Sequence, residues 1–403
     1  MIIRPMKNSI YIVFICLLGC FSHMAFAAEP TADSSKVAFA YDLNFQMQFD
    51  NREFYKSKFT ESMTIFGARL TPAVGVSVNQ KDGTSHRLML GIDVMKDFGA
   101  SPVTPGYAPA DAAETDPNLN NWKLFNEITL YYKVQKQLGK ADFELNAGVF
   151  PRRFMHGNYS QAFFSDSLRF YDNNIEGLLL KFARPKAYFE VGCDWMGMAG
   201  QYRKERFMIF SAGEGQVLPY LSLGYAAYMY HYAGAQVSRG VVDNILANPY
   251  VRFDLGQKTG LEKLSFRLGW LQSMQNDRMH VGKYVFPGGA ELIAEIQKWN
   301  FGVKNDLFVG KDMMPYYNSK DTGGYKYGSQ LYMGAPFYRV YDDGTDQVGL
   351  SDRMEVYYAP KFGTPYLDLR VSTLFYFNAR GYSGCRQMVS LNFNLEELMK
   401  RRK

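Results

Sequence analysis

Cysteine is scarce in this 403-residue chain, with four in all, and two of them, Cys16 and Cys20, fall within the first 27 residues. Cys193 and Cys385 alone cannot build a disulfide framework and read as two unpaired strand residues. Beyond residue 27 there is no apolar run near the ~20 residues that a membrane-spanning helix needs. Neither Gly-x-Ser-x-Gly nor His-Glu-x-x-His occurs, and His86, His156, His231 and His280 stand isolated, so no enzyme is expected from motifs. A large excess of one charge is also missing: without the two basic residues of the leader the balance is 43 − 39 = +4, too mild for a nucleic-acid partner. Aromatics, by contrast, are plentiful. With 29 Tyr and 31 Phe they make up 16% of the chain, which excludes a disordered polymer, yet mean hydropathy is −0.25 and charged residues are 21%.

Arg4 and Lys7 precede the apolar stretch Ile10 to Gly19, and Ala25-Phe26-Ala27 supplies the small residues of a signal-peptidase site. Residues 1–27 are therefore read as a secretory signal cleaved after Ala27, and 28–403 as a single domain of 403 − 27 = 376 residues with a short basic tail, 396–403. Leu17-Leu18-Gly19-Cys20 offers the competing reading of a lipidated Cys20.

From Val37 the apolar residues take every odd position through Phe49, with Asp42, Asn44, Gln46 and Gln48 between them. Period two over this length predicts a strand with one greasy and one wet face. The same pattern recurs to give sixteen candidate strands, with about 14–18 as the range. Short connections such as Asp82-Gly83, Gly213-Glu214-Gly215 and Gln297-Lys298 alternate with mostly long ones, 151–173, 233–244 and 311–347 among them. Strict alternation puts every tight turn at one end of an up-and-down meander, and an outer-membrane barrel has that asymmetry, with short periplasmic turns and long external loops. The greasy face is nearly free of charge, interrupted by Asn126 and Asn305, with Asp352 near a loop end. Trp122, Trp195, Trp270 and Trp299 fall on it, as aromatics at two lipid interfaces would.

Signal peptide, sixteen amphipathic strands and alternating connections together resemble a Gram-negative outer-membrane porin over essentially the whole mature chain. Arg169-Phe170-Tyr171-Asp172 and Gly334-Ala335-Pro336-Phe337-Tyr338-Arg339 are similar to the aromatic-rich stretches of Bacteroidetes-type porin-like proteins. The chain departs from the family in two ways: Phe393 and Leu395 are followed by eight more residues instead of ending the chain, and the constriction-loop sequence of general porins is absent. The resemblance implies an all-β transmembrane antiparallel barrel in the cell outer membrane, contact with outer-membrane lipid and with the barrel assembly machinery, and a homotrimer. It implies neither a cofactor nor a nucleic-acid partner.

A barrel of this strand number is wide enough to hold an aqueous channel. Its lumen is expected to be lined by Arg69, Arg87, Glu127, Glu190, Asp194, Arg252, Asp254, Arg267, Lys304, Arg353, Glu355, Asp368 and Arg370. Signs nearly balance, so the expectation is passive diffusion of small polar solutes with weak selectivity. The loop 151–173 occupies the position that narrows a porin, and its Arg152, Arg153, Tyr159, Asp166, Arg169, Tyr171 and Asp172 are candidates for a constriction. The tyrosines of 311–347 read as loop packing or as carbohydrate contacts. No metal site is expected, because Asp342, Asp343, Asp346 and Asp352 lack the Ca-loop spacing. The alternatives are a barrel acting in adhesion or envelope structure and an outer-membrane lipid hydrolase.

Overall fold

The computed structural model describes residues 36–55, 62–98, 127–324, 326–340, 347–364 and 366–395. The leader, Cys20, Trp122, Asn126, Tyr325, the acidic residues Asp342, Asp343 and Asp346, and the tail 396–403 lie outside them. Sixteen strands follow one another as β1 (Lys36–Phe54), β2 (Met63–Asn79), β3 (Ser85–Asp97), β4 (Glu127–Leu138), β5 (Ala141–Pro151), β6 (Asn174–Arg184), β7 (Ala187–Gly197) and β8 (Glu205–Leu218). They continue as β9 (Leu221–Ala235), β10 (Ser238–Asp254), β11 (Lys263–Asp277), β12 (Gly288–Lys298), β13 (Phe301–Gly310), β14 (Gly349–Tyr358), β15 (Leu367–Asn378) and β16 (Gly381–Asn394). Each pairs antiparallel with the next, and β16 returns to β1 from Asn44↔Asn394 to Phe54↔Gly384, so the sheet closes as a barrel. Closure leaves no edge strand, the condition for a sheet to survive in lipid, where an unpaired backbone group costs several kcal/mol.

The alternation read from sequence decides which face each side chain takes. Val76, Leu88, Leu90, Ile128, Leu130, Leu178, Leu223, Leu268, Val303 and Val371 all point outward and are exposed. A polar interruption of this face is matched by its neighbour, Asn305 Nδ2 donating to Asp352 Oδ1 at 2.6 Å. Leu268 sits five residues into β11 from the short-turn end, between Val251 and Leu292 in register. Leu268→Arg is expected to destabilise the barrel in bilayers by about 2–4 kcal/mol, as for a cation at the hydrocarbon midplane. Urea unfolding in liposomes checks this.

Several boundaries differ from the sequence reading. Gly213-Glu214-Gly215 is not a turn but lies inside β8, and the chain reverses at Pro219 and Tyr220. β10 begins at Ser238, so the connection expected over 233–244 shrinks to Gln236 and Val237. β16 likewise begins at Gly381, leaving only Ala379 and Arg380 between it and β15. At 297–300 the turn falls on Trp299 and Asn300, with φ of 52° and 67°, the pair of positive angles that a two-residue type I′ hairpin demands. Trp299 is therefore in a turn rather than on the outward strand face, whereas Trp195 and Trp270 are outward and exposed. The long connections also carry short helices that period-two reading had no means to find: a 3₁₀ turn at Arg152–Phe154 and the helix α1 (Asp166–Tyr171), capped by Ser165 Oγ accepting from Leu168 N at 3.1 Å.

Candidate functional site

The loop after β5 turns inward and can be followed by its partners. Arg152 donates to Asp194 Oδ2 at 2.9 Å, to the Asn174 carbonyl at 2.9 Å and to the Asp172 carbonyl at 3.0 Å, near the long-loop end of β6 and β7. The chain then descends. Arg153 pairs with Asp42 on β1, Lys181 Nζ donates to the Phe154 carbonyl at 2.6 Å, and the His156 N–H donates to Glu190 Oε2 at 2.6 Å. At its lowest point the Asn158 N–H donates to the Tyr188 hydroxyl at 2.9 Å, one residue into β7 from the short-turn end. Rising again, Tyr159, Phe163 and Phe164 are buried against Phe210 and Tyr228 of the wall. Arg169 donates to the Tyr159 carbonyl at 3.2 Å, and the Tyr171 carbonyl accepts from Arg69 at 2.9 Å. All seven residues considered for a constriction thus lie in one loop that crosses the lumen, although most are engaged with the wall or with each other.

Asp166 fixes the far side of this crossing. Its Oδ2 lies 3.3 Å from Arg386 Nη1 and 3.6 Å from Arg353 Nη1, and its Oδ1 accepts from Gln161 Nε2 at 2.6 Å. Burial works to raise the Asp166 pKa, but Arg386, Arg353 and Arg169 outweigh it and hold the carboxyl below its ordinary value. A lowered folded pKa means the stabilisation is fully present above the unfolded value near ~4 and is lost as pH falls through the folded one. Asp166→Asn is therefore expected to lower the thermal unfolding midpoint at pH 7, with the gap to wild type closing as pH drops below about 4. A pH series of melting curves in detergent checks the sign.

The second long loop, described over 311–324 and 326–340, fills the lumen beside the first. Tyr332 donates to Gln275 Oε1 at 2.6 Å, Tyr338 to Glu291 Oε1 at 2.6 Å, and Tyr230 of the wall to the Gln330 carbonyl at 2.6 Å. The two loops join where Ser165 N–H donates to the Met333 carbonyl at 2.9 Å and Ala335 N–H to the Gln161 carbonyl at 2.8 Å. Tyr316, Tyr327, Tyr332 and Tyr338 are buried, so these tyrosines pack the interior and present no exposed surface to a sugar.

The thirteen lining residues all face inward, and most lie beside a partner. Arg69 donates to Asp93 at 2.7 Å, Arg353 pairs with Asp306, Glu355 with Arg370 at 2.7 Å, and Arg252 with Glu214, with Asp254 3.6 Å away. Glu127 accepts from Asn174 at 2.6 Å, Arg267 donates to Asn248 at 3.0 Å, Lys304 lies 3.5 Å from Asp306, and Asp368 is exposed at the short-turn end. Arg87 stands opposite Lys133. Arg69, Glu190, Asp194, Arg267 and Arg353 are buried.

A second constellation lies on the outside wall at the long-loop rim. His231 on β9, Asp243 on β10 and Asn276 on β11 are in one row of the register and point outward. His231 Nδ1 is 3.5 Å from Asp243 Oδ1, and Arg278 grips the same carboxylate through Nε at 2.7 Å and Nη2 at 2.9 Å. Trp195 stacks on Phe207 at 5.3 Å, and Phe207 lies 5.0 Å from the His231 ring. The Asn276 Oδ1 is buried with no hydrogen-bond partner. Sequence reading missed Asp243, Asn276 and Arg278, and a two-residue turn at 236–237 alone would not have found the pair: it sets His231 opposite Val242, and the bulge between Ser238 and Val241 shifts the register by one to Asp243.

A closed sixteen-stranded antiparallel barrel, apolar outside and crossed inside by two loops, defines an outer-membrane porin-like barrel. Residues 31–395 match the lipid A 3′-O-deacylase-type family, and the chain belongs to it. Among solved structures the chain is similar to OccAB4 of Acinetobacter baumannii, at 8% identity over 90% of this chain and 99% of that one, with a TM-score of 0.45. It is also similar to OpdL of Pseudomonas aeruginosa, at 10% identity, 88% and 98% coverage and a TM-score of 0.46. A loop L8 deletion mutant of OmpT, an outer membrane protein of Vibrio cholerae, gives 9% identity, 89% and 99% coverage and 0.48. No curated protein sequence matches the chain.

Proposed function

We propose that this chain is an outer-membrane hydrolase that removes an ester-linked acyl chain from lipid A, and that the chemistry takes place on the outside of the barrel. The observation that carries this reading is the in-register His231–Asp243 pair, facing outward at the rim where the sugar backbone of an outer-leaflet glycolipid lies. His231 acts as general base: its Nε2 takes a proton from water as the water attacks the ester carbonyl, while Asp243 holds the Nδ1 side and favours the imidazolium that forms, which then returns the proton to the sugar oxygen as the ester C–O bond breaks and the fatty acid leaves. Arg278 fixes the carboxylate and adds positive charge beside a phosphorylated headgroup. Asn276 supplies amide donors for the developing oxyanion. Phe207 packs against the imidazole and is backed by Trp195, and the two anchor the rim at the lipid interface. Membership of the family and a lumen occupied by two loops both support the reading.

A second reading, a channel for small polar solutes with weak selectivity, is favoured by a specific observation: sixteen strands enclose a mixed-charge wall, and the loop bearing Arg152, Arg153, Tyr159 and Asp166 lies within it. Passage on this reading requires the two loops to shift, because the wall beneath them is buried. Proteoliposomes containing lipid A separate the readings. Release of free fatty acid without solute-driven swelling is expected; swelling without fatty acid would replace the hydrolase with the channel.

A further inference from the structure

The lipid-facing wall carries a recess at the end opposite His231. Phe189 stands third in β7, and Leu223 and Tyr225 third and fifth in β9, all pointing outward and exposed. Between them β8 presents Gly213, in register with Phe189 and Tyr225, and Gly215, in register with Ala187 and Leu223. The middle strand thus has no side chain where its neighbours have large ones, and the result is an open groove of about 380 Å³, within the ~300–1,000 Å³ range of ligand sites. A Cβ built on Gly215 meets no atom within 4 Å, so a side chain there would enter the groove and not the wall. The Tyr225 hydroxyl lies 2.9 Å from Ser211 Oγ, which satisfies its polar tip and leaves the ring as apolar lining.

The short turns around the groove are basic. Arg184, at the end of β6, and Lys186, in the turn that follows, are exposed, and the Lys186 carbonyl accepts from the Gln216 N–H at 2.8 Å, next to Gly215. Lys258, exposed in the connection after β10, sets its ammonium 3.8 Å over the ring of Tyr220, in the turn that leads into β9. The neighbouring carboxylates are engaged elsewhere: Glu214 accepts from Tyr250 at 2.9 Å and pairs with Arg252 in the lumen, Asp254 lies 3.6 Å from Arg252, and Glu262 pairs with Lys361 at 3.2 Å.

We infer that this groove binds one anionic glycerophospholipid of the periplasmic leaflet, with an acyl chain lying over Gly213 and Gly215 and the phosphate held by Lys186 and Lys258. Short turns lie on the periplasmic side, so the wall beside them faces the inner leaflet. An apolar recess gains by burying methylene groups, and cations at headgroup level favour an anionic lipid over a zwitterionic one. Lipid A lies in the opposite leaflet, beside His231, so this site is independent of the hydrolysis proposed above.

The test is native mass spectrometry of the full mature chain, delipidated in detergent and given phosphatidylglycerol or phosphatidylethanolamine with the same acyl chains. One phosphatidylglycerol is expected to stay bound at collision energies that strip phosphatidylethanolamine, and Lys186→Gln with Lys258→Gln is expected to weaken its binding by roughly tenfold. Gly215→Leu is expected to remove the retained lipid and leave the barrel folded, since its Cβ enters open space. Equal retention of the two lipids, or a lipid that survives Gly215→Leu, would overturn the inference, as would a dimer whose contact fills the groove in place of lipid. A second measurement needs no variant: phosphatidylglycerol carrying a diazirine on its acyl chain is expected to cross-link to the wild-type peptides that bear Phe189 or Leu223. Labelling spread evenly around the barrel would show ordinary solvation by lipid and overturn the inference as well. Neither arm depends on lipid A hydrolysis or on solute flux.

Discussion

Replacing Arg353 with alanine is expected to lower the stability of the barrel in detergent by about 3–5 kcal/mol, the range for leaving one member of a buried ion pair alone. Arg353 is buried and pairs with Asp306, which is also buried, while its Nη1 lies 3.6 Å from Asp166 of α1. Removing the guanidinium therefore leaves the buried carboxylate with Lys304, 3.5 Å away, as its remaining cation and loosens the crossing loop at once. Replacing both partners by residues of similar volume, Arg353→Met with Asp306→Leu, is expected to recover most of the loss, because the cost lies in the orphaned charge more than in the missing attraction. Thermal or urea unfolding of the three proteins decides the point. Equal losses in the single and double variants would mean that the ion pair itself carries the stability.

The second large effect concerns the outer wall. His231→Ala is expected to reduce lipid A deacylation by roughly 10²–10⁴-fold, the contribution of a positioned general base. Folding should be unaffected, because His231 points away from the lumen and its ring contacts are to Phe207 and Asp243. Asp243→Asn should fall in the same direction by a smaller factor, since an amide can still hold Nδ1 but does not favour the imidazolium. Arg278→Gln removes a grip that His231 does not share and should act mainly through substrate binding, raising KM more than it lowers kcat. Fatty-acid release measured at matched protein amounts checks the order of the three.

Much of the barrel was legible because one physical rule, apolar outward and polar inward, writes itself into every second residue. Val37 to Phe49 announces β1, and β3, β5 and β6 carry the same boundaries in sequence and structure. Misplacements occurred where a turn was judged by composition. Gly213-Glu214-Gly215 has the composition of a turn, yet the chain reverses at Pro219, whose missing N–H suits it to the end of a ladder. Arg239-Gly240 looks like loop, yet it lies inside β10, beyond the lipid-facing portion where alternation ceases to be strict. That second error had a functional consequence. With residues 233–244 read as a loop, His231 and Asp243 have no reason to meet, whereas the two-residue turn at 236–237 together with the bulge between Ser238 and Val241 sets them side by side.

The interior was less legible still. Nothing in the period of a strand says how far a loop descends, and the buried Phe163 and Phe164 have the composition of any loop cluster. Arg152–Asp194, Arg386–Asp50 and Asp166–Arg386 join residues 42, 336 and 220 positions apart, and only the closed register brings them together. The list of inward charges could be read from alternation, but the partners could not.

The central claim, hydrolysis of lipid A at the outer rim, is tested most directly by the mass spectrum of lipid A from outer-membrane vesicles that carry the protein. Vesicles with the wild type are expected to contain lipid A lighter by one ester-linked acyl chain, and vesicles with His231→Ala to contain the unmodified mass. Identical, fully acylated spectra from both would contradict the account.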